Sequence, residues 1–190
     1  MRRRHFLGLA TATVASLAGC MGSTEYTITN VTVADTTGPL SLDLTIADAA
    51  ATIDSSARLD VTLRNTGDKA VSVRNTGIWP LGLLGLAPSG EYGPMSLLLV
   101  SDQYAKTDRV EVSATGARID DELLVRSLDA DKSITEQYDV QGDRLSGPGT
   151  YTLRGFFDET PLTYRTGNAE DWIEFYPKVT IDIKKRSLLP

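Results

Sequence analysis

The 190-residue chain has one cysteine and one histidine, Cys20 and His5, and both fall in its first twenty positions. A folded domain that begins after Cys20 therefore has no disulfide, no thiolate–imidazole pair, no Ser-His-Asp triad and no histidine-ligated zinc. The rest of the usual catalytic vocabulary is missing as well. No Gly-x-Ser-x-Gly or Ser-x-x-Lys follows Cys20, and no glycine-rich phosphate loop appears anywhere. Asp120-Asp121, Asp158-Glu159 and Glu170-Asp171 are acidic neighbours. Adjacency along a chain does not set two carboxyls across a cleft, so they are expected to be solvated. The sequence implies no enzyme, no cofactor and no metal site. Asp129-x-Asp131-x-Ser133-x-Thr135 opens like a calcium loop, but Ile134 stands where such a loop needs glycine and Val140 where it needs glutamate. A turn leading into a strand is expected there.

What is present begins at the N-terminus. Met1-Arg2-Arg3-Arg4-His5 precedes an apolar run from Phe6 to Ala18. Thirteen helical residues rising about 1.5 Å each span roughly 20 Å, short of the roughly 30 Å hydrocarbon core, which suits a cleaved export signal better than a membrane span. Arg3, Arg4, Phe6 and Leu7 resemble the twin-arginine export consensus, and Leu17-Ala18-Gly19-Cys20 resembles a lipobox. Together they look like the leader of an exported lipoprotein, with residues 1–19 removed and Cys20 lipidated. Residues 20–24 would then be the anchor and its tether, and four residues at about 3.5 Å each reach roughly 15 Å. The expected location is the extracytoplasmic face of the cell membrane, held there by the lipid on Cys20.

Cleavage takes three from the 19 basic residues, leaving 16 against 25 acidic ones and a formal charge of −9. Aspartate-rich and lysine-poor, this composition resembles the surfaces of proteins from extremely halophilic archaea. At molar salt the Debye length is about 3 Å, so such a surface serves hydration rather than long-range steering. Without a basic patch of useful size, nucleic acid is excluded as a partner. Lys184-Lys185-Arg186 is expected to be a solvated tail. Asn30-Val31-Thr32 is the one acceptor sequon for N-glycosylation.

From Glu25 the hydropathy alternates with period two, the mark of half-buried strands. Leu40, Leu42, Leu44 and Ile46 alternate with Ser41, Asp43 and Thr45, and Leu59, Val61 and Leu63 with Asp60, Thr62 and Arg64. Further strands are expected at Tyr26–Val33, Val71–Val73, Met95–Ser101, Val110–Ser113, Glu122–Arg126, Ile134–Val140, Thr150–Phe157 and Val179–Ile183. No stretch carries an apolar stripe at helical spacing. The expected fold is an all-β antiparallel sandwich occupying residues 25–186. Within it, Val61-Thr62-Leu63-Arg64-Asn65-Thr66-Gly67 and Val71-Ser72-Val73-Arg74-Asn75-Thr76-Gly77 are near-duplicates. They read as two strands each ending in an Asn-Thr-Gly turn, where Asn and Gly tolerate positive φ.

Asn65-Thr66-Gly67-Asp68-Lys69-Ala70-Val71, Leu128-Asp129-Ala130-Asp131-Lys132-Ser133-Ile134 and Gly147-Pro148-Gly149-Thr150-Tyr151-Thr152-Leu153 resemble motifs of immunoglobulin-like domains in bacterial and archaeal surface proteins. The likeness is to the intracellular proteinase inhibitor (BsuPI) type in particular. It implies an immunoglobulin-like sandwich and, as an alternative function, proteinase inhibition. The primary expectation is a membrane-anchored, non-enzymatic binding or accessory module whose partner is a membrane or cell-surface protein. One segment has two readings: Ile78, Trp79, Leu81, Leu83, Leu84 and Leu86 are interrupted by Gly and Pro. They form either an apolar loop that docks a partner or lipid, or a cover across the end of the sandwich. Trp172, Phe175 and Tyr176 are expected to pack at the core edge.

Overall fold

The computed structural model describes residues 25–90, 97–113, 116–157, 161–167 and 169–186. Where polar and apolar residues alternate, the chain is extended and buries one side of itself. Its strands are β1 (Tyr26–Val33), β2 (Leu40–Asp48), β3 (Ala50–Ala51), β4 (Ala57–Asn65), β5 (Val71–Asn75), β6 (Leu84–Pro88), β7 (Leu97–Leu98) and β8 (Val110–Ser113). They continue with β9 (Gly116–Ile119), β10 (Leu124–Leu128), β11 (Ser133–Val140), β12 (Gly149–Gly155), β13 (Leu162–Thr166), β14 (Ile173–Phe175) and β15 (Val179–Lys185). Among the described residues the helical structure consists of single 3-10 turns at Tyr104–Lys106 and Gly142–Arg144.

One layer is a six-stranded sheet in the order β3-β1-β15-β12-β6-β7. Facing it are a three-stranded sheet, β11-β4-β2, and a four-stranded sheet, β10-β5-β13-β14, while β8 and β9 form a separate hairpin. The strand pairs are antiparallel. A single apolar core collects Leu59, Val61 and Leu63 of β4, Leu153 of β12 and Ile181 of β15. Each such leucine or isoleucine taken fully out of water contributes about 2 kcal/mol. The expected all-β sandwich is the fold observed.

Two local devices set the strand connections. Asn65 is fully buried, and its amide is used completely: Nδ2 donates to the carbonyls of Lys69 (2.8 Å) and Leu128 (2.9 Å), while Oδ1 accepts from the Gly67 amide (3.0 Å). One side chain thereby ties the β4–β5 turn to the end of β10. At the other corner Tyr151 donates its hydroxyl to the Gly147 carbonyl (2.6 Å), which ties the start of β12 to the turn before it. The duplicated turns work differently from the positive-φ expectation. Of the two glycines only Gly77 has positive φ (81°), and the asparagines act through their side-chain amides.

Lys184 and Lys185 are not tail residues. They close β15, paired with Thr27 and Tyr26, and the Arg186 amide donates to the Glu25 carbonyl (2.9 Å). The Asp129–Ser133 segment is a turn, with Asp131 at φ 59° and the Lys132 amide bonded to the Asp129 carbonyl (3.2 Å).

Candidate functional site

Arg3, Arg4, Phe6, Leu7, Leu17, Ala18, Gly19 and Cys20 lie outside the described residues. The segment from Ile78 to Leu86 is described, and it corrects the docking alternative. Ile78, Leu81, Leu83, Leu84 and Leu86 are each at most 5 % exposed. Gly and Pro interrupt the run because it crosses the end of the sandwich before becoming a strand. The Gly82 amide donates to the Ile78 carbonyl (2.8 Å), the buried Tyr138 hydroxyl to the Gly82 carbonyl (3.3 Å) and the Phe156 amide to the Leu83 carbonyl (2.7 Å). Asn75 Nδ2 donates to the Ile78 carbonyl as well. Leu84 and Leu86 then stand in β6, paired with Gly155 and Leu153. These five side chains belong to the core and are withdrawn from any partner.

Trp79 is the exception, being only half-buried. It sits in a cleft of about 470 Å³ lined also by Gln103, Lys106, Arg109, Arg126, Thr135 and Glu136. The Arg126 guanidinium lies 5.9 Å from the centre of the Trp79 ring, within cation–π range. Three elements converge here. Arg126 comes from β10 and Glu136 from β11, and Lys106 comes from the 3-10 turn that Tyr104 anchors by donating its hydroxyl to the Leu99 carbonyl (3.0 Å). Burial pushes the Tyr104 and Tyr138 hydroxyls well above the usual tyrosine range, so both stay neutral donors.

Arg109 Nη2 donates to Glu122 Oε2 (2.8 Å), while its Nη1 is buried without a hydrogen-bond partner among the described residues. A buried guanidinium nitrogen left unbonded carries the full cost of its desolvation, so it is a ready donor for an incoming acceptor. Ser101 donates to Glu136, orienting that carboxylate. The cleft continues into a second hollow of about 340 Å³ lined by Arg58, Asp102, Asp139 and Gln137, with Gln103, Lys106, Thr135 and Glu136 shared between the two. Desolvation holds the Asp139 carboxyl above its ordinary pKa and nearby Asp102 adds to this, while Arg58 opposes it. One end of the cleft is thus aromatic and cationic, the other richer in carboxylates.

Sequence reasoning singled out Trp79 and missed Lys106, Arg109, Arg126, Glu136 and Asp139. They come from separate parts of the chain, and no local motif joins them. The aromatic trio before Pro177 divides. Phe175 is buried, Tyr176 is 53 % exposed, and Trp172 lies on the outer face of the four-stranded sheet between the Arg74 and Arg165 guanidiniums, 4.3 and 4.8 Å from its ring centre. Asn30 of the sequon is exposed, and its Nδ2 donates to Asp182 Oδ2 (3.2 Å). Hydrogen bonds from Thr150 and then Asn30 hold the Asp182 carboxyl below its usual pKa. Of the acidic neighbours, Asp120, Asp121, Glu170 and Asp171 are exposed, and Asp158 and Glu159 lie outside the described residues. Among the described residues no cluster of three or more His, Cys, Asp or Glu is placed to hold a metal ion, and no helix is long and apolar enough to cross a membrane.

The match to known families spans nearly the whole chain, residues 1–189. The chain belongs to the family described as Domain of unknown function (DUF8130). No curated protein and no solved structure matches it.

Proposed function

We propose that this chain is a lipid-anchored, extracytoplasmic binding module, without enzymatic activity, that holds a membrane or cell-surface protein through the cleft around Trp79. The observation that carries the reading is the composition of that cleft. On a chain of formal charge −6, it gathers Arg109 and Arg126 beside an aromatic ring, sets Asp102 and Asp139 with Arg58 at the far end, and has Lys106 and Glu136 where the two hollows meet. Such a polarised groove suits an extended segment that offers a carboxylate to the cationic end and hydrogen-bond donors to the other. The anchoring half of the reading draws on the leader motifs and on where the sandwich starts. Glu25 already accepts a backbone hydrogen bond from Arg186, five residues after Cys20.

A photo-crosslinking residue at Gln103, introduced in intact cells, tests the binding role. The expected result is a discrete protein adduct that disappears when Arg126→Glu and Lys106→Glu are introduced together. Adducts to lipid alone would contradict it. So would stoichiometric slowing of an extracellular proteinase by the mature protein, the behaviour of a BsuPI-type inhibitor.

A further inference from the structure

The end of the sandwich from which the chain leaves toward Cys20 has a composition unlike the rest of the surface. β1 starts there at Tyr26, flanked on one side by Ala51 of β3 and on the other by Lys185 of β15. Neighbouring strands lie about 4.8 Å apart, so the chain enters the turn after β3 and leaves β15 close to the tether's exit.

Beyond β3 the chain makes a closed turn. The Thr52 amide donates to the Ser55 carbonyl (2.7 Å), and Thr52 Oγ1 accepts from the Asp54 and Ser55 amides (3.2 and 3.1 Å). At the tip stands Ile53, 73 % exposed, the most exposed large apolar side chain among the described residues. A turn closed by these bonds holds this side chain outward. On the opposite flank Lys184, Lys185 and Arg186 are exposed and held in place by pairing to β1. Asp182 of the same strand is close enough to feel the charge of Lys184, Glu25 precedes β1, and Asp54 stands next to Ile53 on the other flank.

We infer that this end, with Ile53 on one flank of the tether and Lys184, Lys185 and Arg186 on the other, is a membrane-docking face that rests on anionic phospholipid headgroups. The inference rests on the lipid-anchor reading of Cys20 and adds an orientation to it. The roughly 15 Å span of residues 21–24 brings this end, rather than any other, to the headgroups. At contact range, where screening is incomplete, an orientation that sets Lys184, Lys185 and Arg186 against an anionic bilayer is repelled less than one that presents the acidic remainder of the surface. At contact, Ile53 can enter the headgroup–acyl boundary as an apolar wedge.

The test uses the full chain, processed and lipidated in cells, then placed in phosphatidylglycerol vesicles at about 0.1 M salt, where the Debye length is about 10 Å. An environment-sensitive fluorophore is attached through Ile53→Cys or, as control, through Asp68→Cys. The control site lies beyond the far end of the nine-residue β4, roughly 30 Å away. The expected result is a blue-shifted emission at position 53 that lipid-borne quenchers reach, with no such change at position 68. Reversing Lys184 and Lys185 to Glu should lower the ratio of quenched to unquenched probe at position 53 by about fivefold or more. Equal emission at the two positions, with the lipid mass present on Cys20, would overturn the docking face and leave the anchor standing. A Cys20 peptide without lipid would overturn both.

Discussion

Two asparagines in near-identical sequence surroundings carry unequal loads. Asn65 satisfies three backbone groups in a fully buried position, whereas Asn75 donates to the Ile78 carbonyl and leaves its own Oδ1 buried without a partner among the described residues. Asn65→Ala strands three polar groups and is expected to cost about 3 kcal/mol, against about 1 kcal/mol for Asn75→Ala, where the lost bond is offset by removing an unsatisfied oxygen. Urea unfolding of the two variants checks the ranking. Asp139 supplies a pH-dependent counterpart. Its folded pKa is raised above the ordinary 3.8, so the stability it contributes is fully present below that value and is lost as pH rises through the folded value. Asp139→Asn is therefore expected to raise the melting temperature at pH 7, with the gain fading below pH 3.8.

At the scale of elements, the crossing from Asn75 to Leu84 decides how the two layers meet. Gly77 has φ 81°, and a Cβ built there would lie 2.7 Å from Leu83 Cδ1. Gly77→Ala is expected to destabilise by about 2 kcal/mol through both strain and overpacking, and thermal unfolding measures it. Tyr151→Phe, which deletes the bond to the Gly147 carbonyl, is expected to cost about 1 kcal/mol by the same method.

These elements also show what the sequence discloses. Strands with one wet face, such as β1, β2, β4 and β11, were legible because alternation is a direct print of a half-buried sheet. β6 was not, because both its faces are covered: Leu84, Gly85, Leu86 and Ala87 are all buried, so the run has no alternation and reads as a loop broken by glycine. β13 and β14 were missed because they are short and follow turn-rich sequence. The cleft was illegible for another reason. Lys106, Arg126 and Glu136 meet only after β10 and β11 have paired with β5 and β4.

At the scale of the molecule, the parts divide by position. The described residues begin at Glu25, the end where β1 starts carries Ile53 and the β15 cations, and a mixed-charge cleft is built around Trp79 from the loop and strands of the facing layer. All of this acquires a purpose only if the chain is fastened at Cys20. The most direct test is mass spectrometry of the N-terminal peptide of the mature protein, paired with membrane fractionation of the native chain and of Cys20→Ser. The account predicts a mature chain that begins at Cys20, bears the added mass of a lipid and sediments with membranes, with the serine variant released to the soluble fraction. A native chain that retains Arg3 and Arg4, or that begins at Cys20 with a free thiol and stays soluble, would contradict it.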